Sequence, residues 1–363
     1  MKIKYYKNFL LDNRPSMEQY ADQLINFQSK NFINFTVDSF RPNEDLFSKF
    51  MIFKKWKLRY LRYFSYTKQI KKISPHDVAH VCEPQYAHLF HNLNSKVKFI
   101  TVHDLIPFVY KKKLKRNLYL NSLSLSYLKF YNRVFAISQN TKNDILKYTD
   151  CPEAKIEVIM RSVEKYFNSN TIDKNLVCKT YKIPTDKKKI LISGNIFYKN
   201  LSTSLKVLNF LNKDRDDLIF VHIGSENEKI DGLKIFHNKL VLIPFVNREE
   251  LSKIYKICDL LFFPSLYEGF GMPLLEAMSC GLPIVCSNNS SIPEVVGNAA
   301  LMSNHDDINF FVKSINKILD DSDFKNSLRN KSIIRSKKFD IQKFHSNLIK
   351  IYQEEINNHY KKN

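Results

Sequence analysis

The sequence predicts an α/β fold built from two parallel sheets with helices on both faces. Short apolar runs rich in β-branched and aromatic residues alternate with longer amphipathic stretches along the chain. This alternation is typical of β-α units in parallel sheets. The length of 363 residues suits two domains of roughly 100–200 residues each. The polar stretch 160–186 lacks clear periodicity and is interpreted as the link between them.

The individual elements follow from the same patterns. The strands that the apolar runs predict are 32–37, 78–82, 97–102, 133–137, 156–159, 189–193, 218–223, 239–243, 260–263 and 283–286. The helices that the amphipathic stretches predict include 16–29, 118–131, 140–149, 201–213, 248–257, 273–280, 308–320 and 340–358. We therefore place one domain at 1–165, a second at 166–340 and a terminal helix at 341–363.

Charge and glycine are distributed unevenly. The chain has 57 Lys and Arg against 36 Asp and Glu, a formal net charge of +21, and the first 165 residues contain 29 of the basic and 14 of the acidic residues. All seven glycines lie after residue 165. Glycine lets a backbone approach a ligand closely or adopt positive φ. A nucleotide-phosphate site is therefore expected in the C-terminal half.

Composition excludes several classes of protein. With 44% hydrophobic and 13% aromatic residues, the chain is neither disordered nor collagen-like. Six scattered cysteines without a Cys-x-x-Cys pair favour reduced thiols over disulfides or a zinc site. No apolar run approaches the roughly 20 residues of a spanning helix, and the first residues do not resemble a signal peptide. We expect a protein of the cytoplasmic side, either soluble or peripheral on the inner face of the cytoplasmic membrane.

The most informative segment is 259–301, in which an apolar strand is followed by a glycine-containing loop and a helix. Gly269 and Gly271 precede the helix, where backbone N–H groups and the helix dipole favour an anion, most often a phosphate. Glu268 and Glu276 bracket the same helix start. Both are expected at the carboxyl edge of the sheet, where open α/β sheets bind ligands.

This segment resembles the signature of glycosyltransferase family 4. Members of that family are retaining nucleotide-sugar transferases with the GT-B fold. The family pattern E-G-F-G-x-P-x-x-E-A-M-x-x-G-x-P is matched at every fixed position. The resemblance implies two Rossmann-like domains with parallel sheets that face a central cleft. It also implies an acceptor-binding domain at 1–165, a nucleotide-sugar-binding domain at 166–340 and a helix at 341–363 that crosses back to the first domain.

The resemblance also assigns roles to residues. It implies that Glu268 holds sugar hydroxyls, that His103, in the segment FITVHDLIP, lies beside the transferred sugar, and that Lys199, in GNIFYKN, neutralises the donor diphosphate. Glu276 would accept hydrogen bonds from the ribose. The further predicted substrate contacts are Gly269, Phe270, Gly271, Met272, Gly194, Asn195, Phe245, Val246, Arg14 and Ser138. Ser138 equally suits the N-cap of the helix that follows it.

Two regions depart from the family pattern. Family members place an arginine near the first glycine turn, where this chain has Asn195 and Tyr198. They also carry a glycine-rich loop after the first strand, where this chain has Asn13–Tyr20 without glycine, so that only Arg14 and a helix start offer an anion contact.

The resemblance implies transfer of a hexose from GDP-mannose or a UDP-hexose to a hydroxyl of a glycan or lipid-linked saccharide, in cell-surface polysaccharide or lipopolysaccharide biosynthesis. No convincing Asp-x-Asp motif is present, because Asp306-Asp307 and the acids at 320–323 resemble helix-flanking residues. We therefore expect no metal and no cofactor. Three alternatives stay open: another GT-B enzyme such as an epimerase or phosphorylase, a degenerate non-catalytic GT-B protein, and a basic nucleic-acid-binding protein.

The segment 47–73 contains nine Lys and Arg and no acid, with aromatic residues at helical spacing. A second basic cluster occupies 111–116. Adsorption to an anionic membrane surface suits this pattern. An ordinary helix with a solvated basic face and a nucleic-acid-binding stripe are the alternatives, although no nucleic-acid-binding motif is visible.

Overall fold

The computed structural model describes residues 1–114, 119–168, 172–194, 196–224 and 239–362. The chain divides into two compact units: unit 1 comprises residues 1–160 and 342–363, and unit 2 comprises residues 161–341. Each unit contains one six-stranded parallel sheet. The predicted α/β class with two parallel sheets is thus confirmed.

The sheet of unit 1 has the strand order β2-β1-β3-β4-β5-β6. Its strands are β1 (Lys2–Tyr6), β2 (Thr36–Phe40), β3 (His76–Val81), β4 (Ser95–Val102), β5 (Arg133–Ala136) and β6 (Ile156–Val158). The helices of this unit are α1 (Pro15–Asn31), α2 (Leu46–Lys49), α3 (Lys54–Tyr60), α4 (Tyr66–Ile70), α5 (Ile106–Val109), α6 (Lys111–Leu114), α7 (Tyr119–Leu125), α8 (Gln139–Tyr148) and, from the end of the chain, α16 (Ile341–Lys362).

Alternate residues of these strands supply two apolar cores, one on each face of the sheet. On one face, Tyr5 and Phe99 pack with Leu24 of α1 and with Leu348 and Tyr352 of α16. On the other face, a second cluster covers the sheet with the short helices and turns between residues 61 and 131. The terminal helix α16 is therefore part of the core of unit 1.

The sheet of unit 2 has the strand order β12-β11-β10-β7-β8-β9. Its strands are β7 (Lys188–Ser193), β8 (Leu218–Ile223), β9 (Leu240–Ile243), β10 (Leu260–Phe263), β11 (Ile284–Ser287) and β12 (Leu301–Ser303). Its helices are α9 (Lys174–Thr180), α10 (Leu201–Asp214), α11 (Arg248–Ile257), α12 (Met272–Ser279), α13 (Ile292–Val296), α14 (Ile308–Asp320) and α15 (Ser322–Ser336). One core packs α10 and α14 against the strands, with Phe262 and Phe311 in edge contact at 5.1 Å.

Several predicted elements are wrong in position or incomplete. The predicted strand 32–37 is β2 at 36–40, because α1 continues to Asn31 and a turn follows it. Strand β1 escaped prediction because two of its five residues are lysines. The stretch 160–186 is not only a link, since it contains α9. The helical spacing in 47–73 holds only in part, because residues 50–53 are not helical and a π-turn at Leu61–Ser65 interrupts the helix.

Two further findings concern the described residues. All six cysteines are free thiols, in agreement with the sequence-based expectation. Across the described ranges, no helix combines the length and the apolar character that crossing a bilayer requires.

Candidate functional site

Strand order places a crevice in unit 2 between β7 and β10. From β7 the chain proceeds to β8 and β9 on one side, and from β10 it proceeds to β11 and β12 on the other. In open α/β sheets, ligands bind at such a reversal, outside the carboxyl ends of the strands. Gly194 directly follows β7, and the Glu268 loop follows β10. The fold thus brings the glycine turn and the acidic loop to the same edge.

Lys199 and Glu268 form an ion pair at this crevice. The Lys199 Nζ lies 2.8 Å from Glu268 Oε1, and both side chains are largely buried. The ammonium also lies 4.7 Å from the centroid of the Phe263 ring. Gly194 has φ of +87°, and a Cβ at this position would lie 2.7 Å from Lys199 Cγ. Glycine is therefore required for the lysine to reach the carboxylate.

The loop that carries Glu268 is held by the residues that follow β11. The backbone N–H of Glu268 donates to Ser290 Oγ at 2.8 Å, and the Ser291 hydroxyl donates to the carbonyl oxygens of Glu268 and Phe270 at 2.9 and 3.0 Å. Sequence analysis missed both serines. The signal for them was the polar run Asn-Asn-Ser-Ser at 288–291, directly after a predicted strand.

Gly271 is the N-cap of α12 and has φ of +98°. This left-handed backbone leads the chain from the acidic loop into the helix, so that the positive end of the helix dipole lies at the carboxyl edge of the sheet. Met272 is the first residue of the helix. Phe270 is buried and contacts the edge of Phe339, with the ring centroids 5.8 Å apart. Only the backbone of Phe270 is therefore placed to meet a ligand.

Glu276, on α12, is held by two partners that sequence analysis did not connect with it. Arg248 Nη1 lies 2.5 Å from Glu276 Oε1, and the Tyr255 hydroxyl donates to Glu276 Oε2 at 2.9 Å. The same guanidinium binds both carboxylate oxygens of Glu164, at 3.2 and 2.9 Å. Burial by itself would lower the pKa of Arg248, but the carboxylates of Glu276 and Glu164 raise it above its usual value.

The remaining predicted contacts of unit 2 lie on the loop after β9. Phe245 is 73% exposed and Val246 is half-buried. An exposed aromatic side chain at the carboxyl end of a strand is available for stacking on a planar ligand. Asn195 lies outside the described residues.

Unit 1 has the corresponding crevice between β1 and β3, which also lead to opposite sides of their sheet. Arg14, at the N-cap of α1, pairs there with the fully buried carboxylate of Glu83, to which the Asn8 side chain also donates. Burial raises the pKa of Glu83 to about 7, although Arg14 opposes this shift. Sequence analysis selected Arg14 but not Glu83, because a single acid after a strand carries no recognisable pattern.

His103 and Ser138 follow β4 and β5 at the same edge of unit 1. His103 is buried, its Nε2 lies 2.9 Å from the carbonyl oxygen of Cys82, and its ring meets Tyr20 edge-on at 4.7 Å. A carbonyl only accepts, so Nε2 carries the proton. Ser138 is the N-cap of α8 and accepts from the N–H of Thr141 at 3.0 Å, which confirms its capping role.

The structure therefore groups the predicted residues into two sets. Lys199, Glu268, Gly194 and Gly271 lie around one crevice in unit 2. Arg14, His103 and Ser138 lie at the sheet edge of unit 1.

A cavity of about 680 Å³ lies elsewhere in unit 2, at the amino ends of β10 and β11. Asp259 and Pro283, which immediately precede these strands, belong to its lining. None of the predicted site residues lines it. Gly194 and the Glu268 loop, by contrast, lie at the carboxyl edge of this sheet.

In the part of the chain that the structure describes, no three His, Cys, Asp or Glu side chains converge as a metal site requires. Asp307 and Asp321 are N-caps that accept from the N–H groups of Phe310 and Phe324. They are thus the helix-flanking acids that the sequence predicted. Metal independence itself stays a prediction.

Family descriptions match most of the chain in two consecutive parts. Residues 17–165 match the description Glycosyltransferase Family 4, and residues 173–338 match Glycosyl transferases group 1. The chain belongs to glycosyltransferase family 4. The first match covers most of unit 1 and the second lies within unit 2, so that the crevice between β7 and β10 lies in family-typical sequence.

Similar family members of known activity include bacterial mannosyltransferases. The serotype-specific mannosyltransferase WbdA of Escherichia coli is 28% identical over 256 residues, which cover 65% of this chain and 31% of that protein. The O-antigen chain mannosyltransferase RfbU of Salmonella typhimurium is 28% identical over 224 residues, 60% of each chain. This family 4 chain thus aligns with about a third of the length of WbdA.

Solved structures confirm the fold class. Sucrose-phosphate synthase from Thermosynechococcus elongatus superposes with a TM-score of 0.78 at 14% identity, over 98% of each chain. Anabaena HepE in complex with UDP-glucose gives a TM-score of 0.75 at 14% identity, over 98% of this chain and 100% of that one. The predicted GT-B fold class, with a Rossmann-like domain in each half, is confirmed.

Proposed function

We propose that this protein transfers a hexose from a nucleotide-sugar, GDP-mannose or a UDP-hexose, to a hydroxyl of a glycan or lipid-linked saccharide in cell-surface polysaccharide or lipopolysaccharide biosynthesis. Unit 2 would bind the donor and unit 1 the acceptor. The transfer is proposed to retain anomeric configuration and to need no metal.

One arrangement carries the proposal: the Lys199–Glu268 pair beside the Gly271 start of α12, at the strand reversal of unit 2. The lysine, the loop amides and the helix dipole supply positive charge for a diphosphate. The carboxylate supplies an acceptor for sugar hydroxyls. One crevice thus offers partners for both the diphosphate and the sugar of a nucleotide-sugar.

The reaction breaks the bond between the anomeric carbon and the diphosphate oxygen and forms a bond from that carbon to the acceptor oxygen on the same face. The departing phosphate takes the acceptor proton. Lys199 and the amides of residues 269–272 would stabilise the charge that develops on the leaving diphosphate, the contribution that commonly dominates such catalysis. His103 would orient the transferred sugar.

The relatives bear on the choice of sugar. WbdA and RfbU are both described as mannosyltransferases, and RfbU as acting on the O-antigen chain. These names favour mannose as the hexose and a cell-surface polysaccharide as the product.

The first experiment measures the thermal unfolding midpoint with UDP-, GDP-, ADP- and CMP-sugars, for the wild type and Glu276→Ala. Binding to the folded state alone raises the midpoint by mass action, so a shift with one base identifies the donor class. Loss of this shift in Glu276→Ala supports the proposed donor site. Absence of any shift in the wild type overturns the active-transferase proposal and favours a degenerate GT-B protein.

Product analysis then separates transfer from epimerase or phosphorylase chemistry, because only a transferase forms a glycoside that depends on the acceptor. The anomeric coupling of the product tests retention. Turnover that survives EDTA and is not increased by Mg²⁺ or Mn²⁺ supports metal independence, and turnover abolished by the chelator contradicts it.

We also propose that unit 1 binds an anionic membrane surface through residues 46–64. The support is an unusual concentration of exposed apolar side chains in this segment: Leu46, Phe47, Phe50, Ile52, Phe53, Trp56 and Phe64 are 61–93% exposed. A helix that packed an apolar face on the core would bury them, so this exposure counts against the ordinary solvated helix. Apolar side chains beside basic ones suit the headgroup region of an anionic bilayer.

Sedimentation with vesicles tests this surface. We expect binding to phosphatidylglycerol-containing vesicles that falls with salt and is lost in Phe50→Ser/Phe53→Ser/Trp56→Ser. The matched control, Leu176→Ser/Leu242→Ser/Ile334→Ser, removes three apolar side chains of unit 2 that are more than half exposed. Equal vesicle binding by both triple variants contradicts the proposal. Tight, salt-sensitive oligonucleotide binding, unaffected by Glu268→Ala, would favour the nucleic-acid alternative.

A further inference from the structure

Arg248 contacts Glu276, yet it has no role among the donor-site residues described above. It is the first residue of α11, and its guanidinium lies between the carboxylates of Glu276 and Glu164. The guanidinium also lies 4.8 Å from the centroid of the Phe167 ring. Three partners from two segments thus restrain a single largely buried side chain.

The contacts at Glu276 are divided between its two carboxylate oxygens. Arg248 donates to Oε1 and Tyr255 donates to Oε2. Each carboxylate oxygen has two lone pairs, so each retains acceptor capacity after these bonds. A carboxylate fixed in this way can accept one further hydrogen bond on each oxygen, so that it suits two neighbouring hydroxyls.

The contacts at Glu164 and Phe167 explain how Arg248 itself is fixed. Glu164 binds the guanidinium through both oxygens, a fork geometry that defines the plane of the group. The Phe167 ring covers one face. The hydrogen bond from Arg248 also keeps the pKa of Glu164 below its usual value despite burial, so this carboxylate stays charged.

We infer that Arg248, together with Tyr255, is a positioning residue that holds Glu276 ready for the 2′- and 3′-hydroxyls of a ribonucleotide. The inference rests on the proposed donor site and adds a specificity: discrimination between ribose and deoxyribose is set by Arg248 and Tyr255, which do not touch the nucleotide. If the Glu276 carboxylate could rotate freely, it would adjust to each ligand. It would then bind a deoxyribonucleotide, with one hydroxyl, nearly as well as a ribonucleotide, with two.

Calorimetric titration tests this inference. The probes are UDP, GDP, ADP and CDP and their 2′-deoxy counterparts, and the variants are Arg248→Met, Arg248→Lys and Tyr255→Phe. We expect the wild type to bind the preferred ribonucleotide roughly 10- to 100-fold more tightly than its deoxy form, as one hydrogen bond to a charged group would give. In Arg248→Met this ratio falls toward one, and in Tyr255→Phe it falls partway.

Arg248→Lys restores the charge without the fork and is expected to recover only part of the ratio. The matched control is Arg215→Met, which removes a similarly enclosed arginine paired with Asp217 and Asp320 on another surface of unit 2. It should keep the wild-type ratio.

The outcomes separate the two proposals. If the wild type binds a ribonucleotide selectively and Arg248→Met weakens the ribo and deoxy forms equally, Arg248 is merely structural and the inference is overturned. If no nucleotide binds the wild type, the proposed function fails and the inference fails with it. Should Arg248→Met not fold, the nearly isosteric Tyr255→Phe decides, and an unchanged ratio in that variant rejects the inference.

Discussion

The two units have closely related sheets but equip their crevices differently. In unit 2, the crevice between β7 and β10 combines Gly194 and Gly271 with the Lys199–Glu268 pair. In unit 1, the crevice between β1 and β3 has no glycine and contains the Arg14–Glu83 pair. One unit thus combines glycine turns with a charge pair, and the other combines a charge pair with a helix start that contains no glycine.

This difference indicates what each crevice is suited to bind. Diphosphates are small and highly charged, so a backbone that approaches closely through glycine serves them well. Glu83 is fully buried, whereas about a third of the Arg14 side chain is exposed. We therefore expect the ion pair of unit 1 to contribute mainly to stability and the ion pair of unit 2 to meet a ligand. Four predictions test this division.

The largest effect is expected for Lys199→Met. Removing the cation that faces the leaving diphosphate should lower kcat by roughly 100- to 1000-fold, the range seen when one such electrostatic donor is lost. Turnover with saturating donor measures this effect. The control Lys206→Met removes an exposed lysine of α10 and should keep full activity. A loss of less than threefold in Lys199→Met would contradict the assigned role.

The corresponding change in unit 1 is Arg14→Met. It leaves the buried Glu83 without its cation, and we expect the free energy of unfolding to fall by about 2–3 kcal/mol, less than for a fully buried pair because Asn8 still donates. Chemical denaturation measures it, with Arg59→Met as a surface control. Unchanged stability combined with a large loss of turnover would show instead that Arg14 serves the substrate, as the sequence predicts.

Backbone geometry gives the third comparison. Gly271→Ala places a Cβ at 2.9 Å from Leu274 Cδ1 at φ of +98°, and this strain should cost about 1–3 kcal/mol and weaken donor binding. Asn13→Ala in unit 1, at φ of 50°, should cost about 1 kcal/mol and leave donor binding unchanged. If both variants bind the donor with equal affinity, donor binding does not require glycine at position 271.

The fourth comparison concerns pH. Burial raises the pKa of Glu83 from 4.5 to about 7, so the folded state favours the protonated form. The stability linked to this group is fully present below about pH 4.5 and is lost as pH rises through about 7, at roughly 1 kcal/mol per pH unit. Glu83→Gln should remove this slope.

Free energies of unfolding of the wild type and of Glu83→Gln, measured from pH 4.5 to 8, check this prediction. Titration of His80 and His345, whose pKa burial lowers to about 3, contributes equally to both and cancels. If the free energies of unfolding of the two proteins change with pH in parallel, Glu83 does not titrate in this range.

The sequence alone determined the parts of the site whose geometry is local. Glu268, Gly271 and the start of α12 lie within a few residues of each other, so backbone preferences bring them together, and contacts with Ser290 and Ser291 then hold the loop. The alternation of strands and helices predicted the parallel sheets for the same reason. It failed at β1, where two of five residues are lysines, and at β2, where no residue is fully buried.

Only the tertiary structure decided which charges meet. Arg14 and Glu83 are 69 residues apart, and Glu164, Arg248 and Glu276 come from three separate elements. A charged residue in a sequence shows no partner, because its pairing depends on where the strand order brings its segment. Periodicity likewise showed that Phe50, Phe53 and Trp56 recur at helical spacing, but not that they face solvent. Whether a face is buried depends on what packs against it, and that is a property of the whole fold.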